Sequence, residues 1–291
     1  YIINSKLLGT GVALVTPFDN DNSVDFNALG KLINYVSEGG VNYLVALGTT
    51  AETPTLNSEE KKQVTEFIVN NNPKKLPVVL GIGGNNTADV VKSITTTDLN
   101  GISAILSVTP YYNKPSQQGI YEHYKAIALQ SPLPIIMYNV PGRTGVNMSA
   151  DTTLKLSHDF KNIIAIKEAS GNLGQMGYIV RDCPKDFLVI SGDDNLALPG
   201  IAIGMHGVIS VAANSHPAQL SEMVKLALNG NFTDAAKIHL KLIETVDLLF
   251  AEGNPVGVKA ALSLIGIIKN NLRLPLVTAS QVLIDKLKKY I

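Results

Sequence analysis

The hydrophobic residues of this chain fall into short apolar runs separated by longer segments of mixed polarity. Eight of these runs have the length of β-strands, and most are apolar at consecutive rather than alternate positions. Continuous apolar runs are typical of parallel strands that are covered on both faces. The predicted strands are residues 11–18, 43–49, 77–83, 104–110, 134–140, 163–169, 187–193 and 207–212.

The segments between these strands have helical periodicity. Gly39 and Gly40 indicate where the first of these helices ends. Asn57, with Glu60 three residues later, resembles a capping box and predicts the start of the next helix. The apolar face of the first helix is formed by Phe26, Leu29, Leu32, Ile33 and Val36.

Eight alternating strands and helices predict an α/β protein with a closed (β/α)8 TIM barrel. A doubly wound open sheet is an alternative that the same alternation allows. After about residue 230 the alternation stops, and three helical segments follow at 234–252, 255–268 and 280–291. We therefore predict a catalytic barrel domain over residues 1–229 and a C-terminal helical extension over residues 230–291.

Composition narrows the class of protein. The chain has 291 residues, 45% of them hydrophobic, with 24 basic and 24 acidic side chains. A net charge of zero gives no electrostatic reason to expect nucleic acid or a membrane surface as partner, and no apolar run is long enough to span a membrane. The single Cys183 fits a reducing, cytoplasmic location. The chain begins at Tyr1 rather than Met, so a removed targeting segment stays an open alternative.

The active site of such a barrel lies at the carboxyl ends of the strands, where several polar side chains occur here. Many of them can donate hydrogen bonds, which suits a substrate that carries carboxylates. These residues are Thr16, Thr49, Thr50, Thr109, Tyr111, Tyr112, Tyr138, Asn139, Lys167, Glu168, Asp193, Asp194 and Ser210.

Other kinds of site are poorly supported. The five histidines show no paired ligand spacing, so we predict no metal. There is no G-x-S-x-G elbow, and the GIGGNN stretch at 81–86 lacks the third glycine of a dinucleotide fingerprint. For Asp193 and Asp194 we expect the N-cap of a helix that begins near Leu196 rather than a metal site.

Lys167 stands near the end of the apolar run 163–169 and allows two interpretations. It could reach solvent or pair with a carboxylate. Alternatively, burial disfavours the charged ammonium form and leaves a neutral amine that attacks a ketone to give a Schiff base. The Schiff base is an electron sink, so an adjacent carbon can lose a proton and become an enamine nucleophile. Tyr138, one strand earlier at a comparable depth, is the candidate proton shuttle.

Six motifs carry a resemblance that runs from about Leu8 to the C-terminus. They are GTTAE (48–52), TPYYNKPSQQG (109–119), YNVPGRTG (138–145), IKEASG (166–171), SGDD (191–194) and NPVGVKAAL (254–262). With these motifs in this order, the chain closely resembles the dihydrodipicolinate synthase family. That family belongs to the pyruvate-dependent class I aldolases, which also include N-acetylneuraminate lyase.

The resemblance implies a lyase of lysine (diaminopimelate) biosynthesis. It would condense pyruvate with L-aspartate 4-semialdehyde to 4-hydroxy-tetrahydrodipicolinate, without a cofactor. Lys167 would form the Schiff base, and Tyr138 would relay protons through the Thr49 hydroxyl to Tyr112. In the family this last tyrosine reaches the neighbouring subunit's site, so a dimer would be needed, and a homotetramer is implied.

Substrate-binding residues follow from the same resemblance. Thr50 and the Thr49 backbone would hold the pyruvate carboxylate, and Arg143 would bind the aldehyde's carboxylate through a bidentate pair. Gly192 and Ile209 match positions that line the site through backbone groups. Judged from the residues themselves, the threonines could instead cap a turn, and Arg143 could be a solvated loop charge.

Two departures from the family pattern are visible. Ala51 stands where the family often has glycine, which is harmless unless φ there is positive. Asn85, Asp89 and Tyr111 match positions of a cleft where many members bind inhibitory lysine. However, residues 53–62 lack the usual histidine, and Asp89 replaces a glutamate, so we expect no strong lysine inhibition. For Tyr111, packing at a subunit interface is the simpler interpretation.

Two other functions compete with the synthase. The first is cleavage of sialic acid or a keto-deoxy sugar acid through the same Schiff base. Arg143 argues against it, because lyases of this kind usually lack that arginine and recognise hydroxyls instead. The second is an inactive barrel that serves as a scaffold, and the joint presence of Lys167, Tyr138, Thr49 and Tyr112 argues against it.

Overall fold

A computed structural model describes residues 2–291, in which eight parallel strands form a closed barrel in chain order. Because β1 pairs with both β2 and β8, the sheet has no open edge. The predicted TIM barrel is therefore confirmed, and the open-sheet alternative is wrong. The strands are β1 (Gly9–Ala13), β2 (Tyr43–Ala46), β3 (Val78–Gly81), β4 (Ala104–Val108), β5 (Ile135–Asn139), β6 (Ile163–Glu168), β7 (Leu188–Ser191) and β8 (Gly207–Ser210).

Helices surround the barrel and continue beyond it. The first ten are α1 (Ile2–Lys6), α2 (Phe26–Glu38), α3 (Ser58–Asn70), α4 (Thr87–Thr96), α5 (Gln117–Gln130), α6 (Pro141–Thr144), α7 (Ala150–Asp159), α8 (Leu173–Asp182), α9 (Ala197–Ala202) and α10 (Pro217–Leu228). The C-terminal helices are α11 (Phe232–Phe250), α12 (Val256–Leu264) and α13 (Gln281–Leu287). Short 3-10 segments occupy Thr49–Ala51, Thr53–Thr55, Asp194–Leu196 and Ala212–Asn214.

The predicted strands exist, but they are shorter than their apolar runs. The run 11–18 contains only the end of β1, although Leu14, Val15 and Phe18 beyond it are fully buried. Apolar residues report burial, and a loop that covers the barrel is buried as completely as a strand. Strand ends therefore could not be read from hydrophobicity alone.

The predicted helix ends are confirmed where local chemistry defines them. The Glu60 amide donates to Asn57 Oδ1 over 2.9 Å, and the Asn57 amide donates to Glu60 Oε2 over 3.0 Å. This reciprocal pair is a capping box at the start of α3. The preceding helix, α2, ends at Glu38 and has Gly39 as its C-cap, as predicted.

The strands alternate between a packed barrel interior and an outer face covered by helices. One cluster of buried side chains holds Val45, Val79, Ile136, Ile190 and Ile209, whereas their chain neighbours belong to clusters shared with the helices. Alternation is the normal consequence of strand geometry in a barrel. The site therefore stands on top of a filled core rather than a pore.

The three C-terminal helices are confirmed, and they share a hydrophobic core with the barrel. Leu249 of α11, Val258 of α12 and Leu287 of α13 belong to the same buried cluster as Leu14 and Phe18, which follow β1. The extension therefore packs directly against the loops at the carboxyl ends of the strands. The division into domains at residue 229 stays a prediction.

Candidate active site

Lys167 points into the mouth of the barrel. Ala165, two residues earlier on β6, belongs to the interior cluster, so the alternation of the strand turns Lys167 inward as well. Its side chain is buried, with 5% of its surface exposed. It takes part in none of the ion pairs found among residues 2–291. The interpretation as a lysine that reaches solvent is therefore wrong, and the Asp193 carboxyl, which interacts electrostatically with Lys167, forms no ion pair with it.

Tyr138 lies directly beside this amine. Tyr138 and Lys167 are register partners on β5 and β6. Lys167 Nζ lies 4.2 Å from the centre of the Tyr138 ring. Tyr138 is also buried and belongs to the interior cluster. The structure thus brings the predicted nucleophile and its predicted proton shuttle together at the carboxyl ends of neighbouring strands.

Gly192 provides the space that the Lys167 side chain occupies. A Cβ at Gly192 would lie 3.1 Å from Lys167 Cε and 2.6 Å from Ala169 Cβ. The second distance is too short for two carbon atoms that are not bonded to each other. Burial raises the pKa of the neighbouring Asp193 carboxyl, and the charge of Lys167 partly opposes that rise. Gly192 and Asp193 therefore form the wall of the site beside Lys167.

Glu168 faces the opposite side of β6 and holds the strand ends together. Its fully buried carboxylate accepts hydrogen bonds from Asn139 Nδ2 and Gln175 Nε2, each over 3.1 Å, and from the Ser170 amide over 2.8 Å. Burial raises the pKa of Glu168, and these donors oppose the rise. The network links β5 to β6 just behind Tyr138 and Lys167.

The two threonines form a 3-10 turn that follows β2. Neither threonine is an N-cap, because the residue that precedes the turn is Gly48. The buried Thr50 Oγ1 accepts a hydrogen bond from Asn254 Nδ2 over 2.9 Å. Ala51 is not among the residues with positive φ, so alanine is accommodated there as expected. The residue of the GTTAE motif that has a left-handed backbone is Glu52, with φ 54°.

Arg143 lies on the exposed turn α6 and contacts the residue that binds Thr50. Its Nη2 donates to the Asn254 backbone oxygen over 3.4 Å. Asn254 thus stands between the two residues predicted to bind carboxylates, Thr50 and Arg143. Sequence reasoning did not single out Asn254, although it is the first residue of the NPVGVKAAL motif. Ile209 lies on β8 with its side chain buried in the barrel interior.

Tyr112 is almost fully exposed on the surface of its own chain. Its side chain is 89% exposed, and its backbone is left-handed, with φ 71°. The Tyr112 amide donates to the Thr144 backbone oxygen over 3.4 Å. Among residues 2–291, no hydrogen bond joins the hydroxyls of Tyr138, Thr49 and Tyr112, so the relay stays a prediction.

The residues of the predicted regulatory cleft lie together on the surface. Asn85 and Asp89 line a cavity of about 120 Å³ that Gly83, Gly84 and Asn86 also border. Asn85 Nδ2 donates to the Tyr111 backbone oxygen over 3.1 Å. The structure groups these positions, and their regulatory role stays a prediction.

The expected role of Asp194 is wrong. Its Oδ2 accepts from the amides of Val211 and Ala212, over 3.2 and 2.9 Å. Asp194 therefore caps the turn that follows β8. It does not cap the helical segment that follows Asp194 itself along the chain. The acceptor and its donors are far apart along the chain, so local spacing could not indicate this bond.

Residues 2–291 contain no group of three or more histidine, cysteine, aspartate or glutamate side chains arranged to hold a metal ion. Over the same residues, no helix is long and apolar enough to cross a membrane.

A buried lysine beside a tyrosine, at the carboxyl mouth of a (β/α)8 barrel, is the arrangement expected of a lyase that works through a Schiff base. The sequence pattern of the Dihydrodipicolinate synthetase family matches residues 6–291. The chain belongs to this family.

Individual relatives agree with this assignment over almost the whole chain. The 4-hydroxy-tetrahydrodipicolinate synthase of Parabacteroides distasonis is 54% identical over 98% of this chain and 96% of its own length. The enzyme of the same name from Bacillus subtilis is 45% identical over 92% of this chain and 93% of its own. The solved dihydrodipicolinate synthase of Thermotoga maritima has a TM-score of 0.95 at 40% identity and covers 97% of each chain. The predicted family, fold and enzyme class are confirmed.

Proposed function

We propose that this chain condenses pyruvate with L-aspartate 4-semialdehyde to give 4-hydroxy-tetrahydrodipicolinate, in lysine (diaminopimelate) biosynthesis. The observation that carries the proposal is the inward-facing Lys167, whose Nζ lies 4.2 Å from the centre of the Tyr138 ring. The names of the relatives support the same reaction. A buried amine beside a phenol is suited to Schiff-base chemistry.

The first half of the reaction would activate pyruvate. The Lys167 amine attacks the ketone carbon and forms a carbinolamine. A proton delivered through Tyr138 lets the hydroxyl leave as water, which gives the protonated Schiff base. Loss of a proton from the pyruvate methyl group then gives the enamine. Lys167 itself forms the covalent intermediate, so we propose that the reaction needs no cofactor.

The second half would join the two substrates. The enamine carbon attacks the aldehyde carbon of aspartate semialdehyde and forms the new carbon–carbon bond, while the aldehyde oxygen takes up a proton and becomes the hydroxyl group of the product. The amino group of the condensed product then attacks the Schiff base, displaces the Lys167 nitrogen and closes the ring. The lysine leaves as free amine, so the enzyme is ready for another pyruvate.

Two positively polarised sites would orient the substrates. Thr50 and the Thr49 backbone hold the pyruvate carboxylate, and Arg143 holds the carboxylate of the aldehyde. Asn254 contacts both sites, since its side chain binds Thr50 and its backbone oxygen binds Arg143. Gly192 gives room for the Lys167 side chain. We propose that Gly192 and Ile209 line the site through backbone groups.

A second copy of the chain would complete the proton relay. Tyr112 is 89% exposed, as a residue that serves a neighbouring subunit must be before assembly. We therefore propose a homodimer in which Tyr112 of one copy joins Tyr138 and Thr49 of the other, and a tetramer built from two such dimers. One solved relative, 40% identical, is a monomeric dihydrodipicolinate synthase variant.

Borohydride trapping tests the chemistry directly. Reduction in the presence of pyruvate should add one three-carbon unit to each chain, and peptide mapping by mass spectrometry should locate it at Lys167. Lys167→Arg should remove the adduct. A wild-type chain without an adduct, or an adduct at another lysine, would contradict the mechanism.

The second substrate needs a separate assay. Purified protein is incubated with pyruvate and aspartate semialdehyde in one reaction and with sialic acid in another, and product formation is compared. We expect turnover only in the first reaction, because Arg143 supplies a charged partner for a carboxylate. Turnover of sialic acid alone would assign the site to sugar-acid cleavage instead.

A further inference from the structure

Glu52 and Lys259 form an ion pair in the interior of the protein. Among the ion pairs of residues 2–291, it is the only one whose two side chains are both fully buried. Lys259 Nζ also donates to the Asn271 backbone oxygen over 2.9 Å and lies 4.1 Å from the centre of the Phe18 ring. Burial lowers the pKa of Lys259, and the Glu52 carboxylate opposes that effect.

Stability is a weak explanation for such a pair. Removing two charges from water costs several kcal/mol per ion, and their attraction often only balances that cost. A well-packed apolar pair of similar size would therefore hold α12 to the barrel about as well. An apolar pair would not fix the orientation of its side chains, because apolar contacts are not directional. An ion pair with additional hydrogen bonds does fix the orientation of each group.

The group that is fixed here belongs to the active-site turn. Glu52 directly follows the 3-10 turn Thr49–Ala51, and its amide donates to the Thr49 oxygen over 3.2 Å. Its left-handed backbone, with φ 54°, is unfavourable for a residue that carries a side chain. Glu52 Oε1 additionally accepts from the Arg273 amide over 3.1 Å. One carboxylate oxygen thus accepts a hydrogen bond, and the other, Oε2, faces Lys259 Nζ in the ion pair, which together keep the left-handed residue in place.

A second bond joins the same two segments. Asn254 Nδ2 donates to Thr50 Oγ1, two residues before Glu52, and Asn254 lies five residues before Lys259. The segment 254–259 therefore contacts the turn at Thr50 and the residue that follows the turn, Glu52. The first contact acts on Thr50 directly, and the second acts on Glu52, whose amide donates a hydrogen bond to the Thr49 backbone oxygen.

We propose that Glu52 and Lys259 are positioning residues for the pyruvate site. Their ion pair holds the backbone of Glu52, and through it the orientation of Thr49 and Thr50. The C-terminal extension thereby takes part in substrate binding although Lys259 itself does not touch substrate. This inference rests on the proposed function, because Thr49 and Thr50 bind pyruvate only if the chain uses pyruvate.

The experiment measures how much pyruvate is needed for borohydride trapping at Lys167. The variants are Glu52→Gln, Lys259→Met and the double variant Glu52→Gln/Lys259→Met, which contains no unpaired charge. Lys269→Met is the matched control, because Lys269 pairs with Asp19 and joins the same C-terminal region to the loop after β1. Circular dichroism and thermal unfolding establish which variants are folded.

We expect the double variant to fold and to need about ten to a hundred times more pyruvate for half-maximal trapping, because small displacements of positioning groups have effects of this size. Glu52→Gln should also raise the pyruvate concentration that is needed for half-maximal trapping. The KM for aspartate semialdehyde should change less than the KM for pyruvate, since Arg143 lies on α6 and contacts the segment 254–259 through the Asn254 backbone oxygen, five residues from Lys259. Lys269→Met should match the wild type.

Two failures are distinguishable. A wild-type chain that is not trapped by pyruvate would remove the proposed function and this inference with it. A wild-type chain that is trapped, together with a folded double variant that needs no more pyruvate, would overturn the positioning role alone. If the double variant does not fold, Glu52→Gln decides: wild-type pyruvate dependence in that folded variant overturns the inference.

Discussion

The Lys167 side chain is enclosed by residues from β5 and from the end of β7. The Tyr138 ring lies 4.2 Å from its Nζ, and the missing side chain of Gly192 leaves room for its methylene groups. A reactive amine has to be held at one distance and angle from its substrate, so the residues that surround it matter as much as its own burial.

Gly192→Ala should displace Lys167. The new Cβ would lie 2.6 Å from Ala169 Cβ and 3.1 Å from Lys167 Cε, so the lysine has to move. We expect the rate of trapping with pyruvate to fall by about one to two orders of magnitude. Gly177→Ala on α8 is the control, because no other described group lies within 4 Å of a Cβ at that position. Equal trapping rates in both variants would contradict the predicted contact.

Arg143→Ala should weaken the use of aspartate semialdehyde without weakening Schiff-base formation with pyruvate. The loss of a charge-assisted bidentate bond should raise the KM for aspartate semialdehyde by about ten- to a hundredfold. Trapping with pyruvate should stay close to the wild-type level, because Arg143 is proposed to bind only the aldehyde. Arg181→Ala, which removes an exposed arginine paired with Asp182, is the control for a lost surface charge. Equal losses in both assays would mean that Arg143 has another role.

At the scale of elements, the pairing of β5 with β6 decides the geometry of the site. Tyr138 and Lys167 are register partners, and a slip of one residue would turn one of them to the outer face. The Asn139–Glu168 hydrogen bonds lie one residue further along the same two strands and tie their ends together. The strand ends are therefore fixed where the chemistry would take place.

The attachment of α12 to the barrel should depend on pH. The pKa of Lys259 is lowered to about 8 from an ordinary value of 10.5, chiefly by burial. Between these pH values the unfolded chain holds a proton that the folded chain lacks, so the contribution of Lys259 to the free energy of unfolding rises with pH. The charged groups that face it are Glu52, which opposes the lowered pKa, and Arg273, which favours it.

Urea unfolding at pH 7.5 and pH 9.5 tests this dependence. The wild-type chain is compared with Glu52→Gln/Lys259→Met, in which neither position titrates. All other titrating groups are present in both chains. The unfolding free energy of the wild type, relative to that of the double variant, should therefore increase as pH rises. A difference that is constant over this range would contradict the lowered pKa.

At the scale of the whole molecule, the site is assembled from parts that are distant in sequence. Lys167 and Tyr138 come from the barrel, whereas Asn254 and Lys259 come from the C-terminal extension and reach the threonine turn. The exposed Tyr112 belongs, in our proposal, to the site of a second copy.

Mixing two inactive variants tests that assembly. Tyr112→Phe and Lys167→Arg should each have low activity alone. In a mixed dimer, the site that retains Lys167 would receive Tyr112 from the other chain. With random exchange, half of the dimers are mixed and each has one complete site of two, so about a quarter of wild-type activity should return.

The control for this experiment is Tyr178→Phe, another exposed tyrosine, which should keep wild-type activity alone. Sedimentation should show that all variants have the same oligomeric state. If subunits exchange and no activity returns, Tyr112 does not act in the partner's site.

The sequence alone predicted eight alternating strands and helices, the C-terminal helices and the family, whereas the closure of the sheet into a barrel was decided by the structure. Apolar periodicity repeats locally, so eight buried strands and their helices can be counted without knowledge of their contacts. It also singled out Lys167 and Tyr138, because both occur where apolar runs end. The capping box at Asn57 was visible for the same reason, since its two partners are three residues apart.

Only the tertiary structure decided which distant groups meet. Asp194 caps the turn after β8, Asn254 joins Thr50 to Arg143, and Glu52 pairs with Lys259. Strand ends were likewise hidden, because loop residues such as Phe18 are as buried as the strands themselves. Hydrophobic patterning records whether a residue is buried, whereas the partner of a buried polar group depends on how the chain closes around it.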